Sequence, residues 1–94
     1  MTYAVVLRAD DGPDEPGRLE LERDAVLVPG GRSVRYSDLG DVYLERLAGA
    51  GGSRPTLVLV SRGGERLRIS TVEGPGALRE LAEELVEARG KAAA

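Results

Sequence analysis

Ninety-four residues with a formal net charge of −3 make one domain, with room for one core and no surplus for a second. The chain has no cysteine and no histidine, which removes disulfides, thiol chemistry, the commonest metal ligand and the commonest general base. A mildly acidic chain is also poorly suited to nucleic acid or an anionic membrane, where a basic surface neutralises phosphates.

Tyr3 to Arg8 is the first predicted strand, with Tyr3, Val5 and Leu7 on one face. Asp10 to Gly17 follows as an acidic loop rich in turn residues, including Asp10, Asp11, Asp14 and Glu15. Leu19-Glu20-Leu21-Glu22 alternates, so the leucines point inward. Arg23-Asp24 is a tight turn, and Ala25 to Val28 returns antiparallel with Val26 and Val28 inside. Pro29-Gly30-Gly31 ends that strand. Val34 to Tyr36 is a short extended piece, and Ser37 and Asp38 are candidate caps for one turn around Leu39.

Val42 to Leu47 reads as another strand, with a short helix as the alternative because its period is ambiguous. Ala48 to Pro55 reads as a flexible loop. Thr56 to Ser61 is a strand with Leu57 and Leu59 on one side. A connection through Gly63-Gly64 leads to Arg66–Thr71, with Leu67 and Ile69 inward and Arg66, Arg68 and Ser70 outward. The period then changes from 2 to 3.6. From Pro75 to about Arg89, Leu78, Leu81, Ala82, Leu85 and Val86 form one apolar stripe of an amphipathic helix. Gly90 is the predicted stop and Lys91–Ala94 a disordered tail, leaving residues 1–90 as the domain. The helix must lie on the sheet or plug its open end.

Candidate sites are sparse. Arg54, Arg62, Arg66 and Arg68 define an arginine strip near the last hairpin, suited to an anion or an acidic peptide, with Glu65 and Glu73 as nearby counter-charges. The acidic loop lacks the alternating spacing of a calcium loop. The glycine-rich stretches at Gly30-Gly31 and Gly49–Gly52 lack the lysine and the strand-to-helix context of a phosphate loop. The serines have no histidine or cysteine partner. Asp38 and Asp41 form a carboxylate pair that turn and capping roles explain. Glu80, Glu83, Glu84 and Glu87 give the helix an acidic outer face, either solvated or set to meet a basic partner. No catalytic, metal-binding or cofactor-binding set emerges.

Several phrases resemble bacterial pleckstrin-homology-like (PH-like) domains. They are Gly17–Leu21 leading into Ala25–Val28, Val34–Val42, Thr56–Val60 with Gly63-Gly64 and Leu67–Ile69, and the capping helix Leu78–Val86. The resemblance implies a mainly β fold: a strongly bent, partly open antiparallel barrel of six or seven strands, with the C-terminal helix closing one end. It also implies a small non-enzymatic module that binds protein, often along a strand edge or beside the helix, or assembles with itself. Relatives of this kind that bind phosphoinositides do so through basic residues around the first hairpin loop. Here that loop is acidic and would repel a polyphosphate. An anionic lipid head group or small ligand on the arginine strip is the alternative. Arginine supplies twelve of the thirteen basic side chains, a bias that fits GC-rich bacterial coding. With no signal-peptide pattern and no apolar run long enough to span a bilayer, the expected address is the cytoplasm.

Overall fold

A computed structural model describes residues 2–9, 12–49, 52–73 and 75–93, and the backbone alone at 47–49, 52–54, 75 and 93. Seven antiparallel strands form one curled half-barrel, followed by one helix. The strands are β1 (Thr2–Ala9), β2 (Glu15–Leu21), β3 (Ala25–Val28), β4 (Arg32–Arg35), β5 (Leu39–Gly49), β6 (Gly52–Ser61) and β7 (Arg66–Thr71); the helix is α1 (Pro75–Ala93). A 3₁₀ turn at Tyr36–Asp38 joins β4 to β5. The spatial order is β4-β3-β2-β1-β7-β6-β5, so the first strand sits in the middle and the chain closes on itself by pairing β1 with β7.

The period-2 pattern fixes which side of each strand is buried. Tyr3, Val5 and Leu7, then Leu19, Val26, Val28, Leu57, Leu59, Leu67 and Ile69, all enter one core. Leu78, Leu81, Ala82 and Leu85 cover it from α1. The helix packs on the 3₁₀ turn, β5, β6 and β7, and so plugs the concave side toward the seam between the two edge strands, β4 and β5. Arg32 of β4 reaches across that seam to pair with Glu65 in the β6–β7 turn. Two backbone bonds extend the ladders beside it: the Arg62 N–H donates to the Asp38 carbonyl at 2.8 Å, continuing β5–β6, and the Tyr36 N–H donates to the Asp24 carbonyl at 3.1 Å, continuing β3–β4.

Three local expectations change, and one open alternative closes in favour of strand. The predicted loop at Ala48–Pro55 is mostly ladder: Ala48 pairs with Ser53 and Gly49 with Gly52, while Ala50 and Gly51 lie outside the described residues. The ambiguous segment Val42–Leu47 is strand, fixed by its pairing with β6. Ser37 and Asp38 lie within the 3₁₀ turn, and Arg35 occupies its cap position without a side-chain bond. The helix runs through Gly90 to Ala93, and Val86 falls outside its buried stripe at 50% exposure. The stripe continues instead through half-buried Ala88 and Arg89, a Lys91–Glu87 pair one turn apart supports the final turn, and alanine there favours helix.

Candidate functional site: the free edge of β5

The two edges of the sheet differ. β4 is four residues long and carries Arg32 and Arg35, both exposed, the short and charged form that discourages strand addition. β5 is eleven residues long and, among the described residues, has a strand on one side alone, β6. Its first residues are occupied. Arg89 donates from Nε to the Leu39 carbonyl at 3.1 Å and from Nη2 to the Gly40 carbonyl at 2.5 Å. The register shifts between Leu39 and Asp41, and the Asp41 Oδ1 accepts the Val42 N–H at 2.9 Å. Beyond that bulge the strand is regular.

Two large apolar side chains stand out along the regular part. Tyr43 is 37% exposed on the outer face and Leu44 is 47% exposed on the inner face. Leu44 lies opposite buried Leu57 but, unlike Val42 two residues earlier, is not sealed by the helix. Val86 is one turn before Arg89, on the side of α1 that Arg89 ties to β5. Tyr43 and Leu44 leave apolar surface exposed on both faces of the regular part of this edge.

The arginine strip is only partly assembled. Arg66 and Arg68 share the outer face, opposite Val60 and Val58. Arg68 is half-buried, with its Nε 3.6 Å from the Glu45 Oε2, and it lies directly opposite Arg8 on β1. Val58, fully buried though it points away from the main core, is flanked by Arg68 and Tyr43. Arg62 is exposed in the β6–β7 turn; the Arg54 side chain lies outside the described residues. Of the expected counter-charges, Glu65 pairs with Arg32 instead. Of the acidic loop, Asp14 lies 3.5 Å from Arg8, while Asp10 and Asp11 lie outside the described residues.

A cleft of about 1200 Å³ opens on the other side of α1, among Glu22, Asp24, Arg35, Tyr36, Glu84 and Ala88. Its lining mixes both signs of charge. Burial raises the Tyr36 phenol above the usual tyrosine range, with Glu22, Glu84 and Asp24 adding to the rise, and its hydroxyl donates to the Glu22 carbonyl at 2.6 Å. Tyr3, under the first half of α1, is raised by burial and then by Glu80 and Glu84; Glu80 also accepts a hydrogen bond from its phenol.

Among the described residues no group of three or more carboxylates converges as a metal site, and no helix is long and apolar enough to cross a membrane. No known family model and no curated protein matches the chain.

The sequence places a strand at Val42–Leu47 but points to the last hairpin, not to this edge, as the candidate site. The signal was present in Tyr43 and Leu44, adjacent apolar residues that a half-buried strand must send to opposite faces, but the glycine-rich run after them hid the length of the strand.

Proposed function

We propose that the chain is a non-enzymatic PH-like interaction module of the bacterial cytoplasm, which takes an extended protein segment along the free edge of β5. The observation that carries this reading is the length of that edge, with Tyr43 and Leu44 exposed beside it. An added strand gains a ladder of backbone hydrogen bonds, and its alternate side chains reach Leu44 on the inner face and Tyr43 on the outer. The seven-stranded half-barrel with a C-terminal helix supports the PH-like part of the reading. The absence of histidine and cysteine supports the non-enzymatic part. Selection of extended peptides on the immobilised chain tests it: bound peptides should shift amide resonances of residues 42–46, and Leu44→Lys should abolish the shifts. Peptides that bind equally well to the Leu44→Lys chain would overturn the site.

A second reading places an anionic head group on Arg54, Arg62, Arg66 and Arg68, favoured by the exposure of Arg62 and Arg66. Glu45 beside Arg68 weakens the field there. Co-sedimentation with anionic vesicles at low and high salt tests it, and no binding at low salt removes it.

A further inference from the structure

The inference rests on the interaction reading above and names the partner. We propose that the β5 edge pairs with β5 of a second copy of this chain, antiparallel, about a two-fold axis through Leu44. Such an axis, normal to the sheet, sets one residue opposite its own copy and fixes every other pair. Opposite residues share a face, so only a few registers need weighing.

Four neighbouring registers fail on what the strand carries. Centred on Val42, the central five residues would be 40–44 and would include Gly40, whose carbonyl already accepts from Arg89; centred on Leu44 they are 42–46, clear of it. Centred on Tyr43, it would set Asp41 against Glu45 twice. Centred on Glu45 or Arg46, it would set like charges against themselves. Like charges directly opposite destabilise a ladder.

Centred on Leu44, the pairs are Leu44 with Leu44, Tyr43 with Glu45, and Val42 with Arg46. No like charges meet. The two exposed apolar residues of the edge are covered in one step, and the stem of Arg46 lies over Val42. The short arginine-bearing edge at β4 offers no comparable surface. The assembly is therefore a closed dimer with a continuous sheet through both copies, rather than a chain of subunits.

The chain has no cysteine, so introduced thiols report on register directly. Across an antiparallel pair the opposed Cα atoms lie about 4.5–5.5 Å apart, within disulfide reach. Copies displaced by two residues lie about 7–8 Å apart, beyond it. The expected result is a dimer of the full chain by sedimentation equilibrium, rapid disulfide cross-linking of Leu44→Cys, and little cross-linking of Tyr43→Cys. Leu44→Lys should weaken association about tenfold or more while the circular dichroism stays that of the parent. A monomer up to millimolar concentration, a dimer indifferent to Leu44→Lys, or cross-linking at Tyr43→Cys but not Leu44→Cys would each overturn the proposal. A monomer that still takes extended peptides at residues 42–46 overturns the self-pairing and keeps the interaction reading; a monomer that takes none overturns both.

Discussion

Arg89 and Leu39 are fifty residues apart in the chain and joined in the fold: the guanidinium Nε donates to the Leu39 carbonyl at 3.1 Å. The contact ties the last turns of α1 to the first residue of β5 and satisfies backbone at a bulge, where no neighbouring strand is available. Hydrogen bonds from a charged donor are worth about 1.5–3 kcal/mol when partly buried. Arg89→Ala should therefore destabilise the chain by about 1–3 kcal/mol in chemical denaturation. Arg89→Lys should recover only part of the loss, because an ammonium has no planar fork to span two carbonyls. Amide exchange in residues 86–92 should quicken in the Arg89→Ala variant. Unchanged exchange would mean that the last turns are held by other contacts.

Leu85 and Val86 are adjacent and opposite in environment, fully buried against 50% exposed. Leu85→Ala should cost about 2–5 kcal/mol through lost burial and a residual cavity. Val86→Ala should stay within about 0.5 kcal/mol, as exposed substitutions do. Equal losses in thermal melts would contradict the placement of the helix.

Burial and nearby carboxylates raise both Tyr3 and Tyr36, which favours their neutral form in the fold. The folded state then holds its protons longer than the unfolded chain does, and stability falls as pH rises. The contribution is complete below the ordinary tyrosine value of 10.0 and is lost as pH climbs through the raised folded values. Urea midpoints should be insensitive to tyrosine ionisation near neutrality and drop steeply above pH about 10. Tyr3→Phe combined with Tyr36→Phe should flatten that drop. At neutral pH, Tyr36→Phe alone should cost about 0.5–1.5 kcal/mol for the bond to the Glu22 carbonyl.

Gly64 holds φ at +92° in the β6–β7 turn, with open space where a side chain would stand. Gly64→Ala should therefore lose about 1 kcal/mol or more from backbone strain alone. Equilibrium unfolding measures it, and an unchanged free energy would show that the turn relaxes to another conformation.

Strand faces were readable wherever side chains alternated cleanly. Leu57 with Leu59, Leu67 with Ile69, and Val26 with Val28 all point where their period placed them. The length of the β5–β6 hairpin was not readable. Gly49, Gly52 and Ser53 have little strand preference of their own, and their pairing is imposed by the partner across the ladder. Gly90 misled for a related reason: a glycine stops a helix only when the chain turns there, and the Glu87–Lys91 pair carries α1 past it. Val86 fits the helical stripe by spacing, yet Arg89 and Ala88 occupy the packed side at the seam. The strip of Arg62, Arg66 and Arg68 was legible as sequence, but the pairing of Arg68 with Glu45 depends on β5 and β7 lying on either side of β6, which no local pattern encodes.

The central position of β1 sets the order of events in folding. Its pairing with β7 joins Val5 to Thr71, across more than two-thirds of the polypeptide. During synthesis β1–β4 and β5–β6 can each form from near neighbours, yet each leaves an inner border without its mate until β7 emerges. Closing so long a loop is entropically slow, so union of the two halves is the late event on the route to the native state. Ribosome-stalled chains ending before residue 66 should accordingly remain sensitive to protease, and chains that expose β7 together with α1, through residue 93, should not.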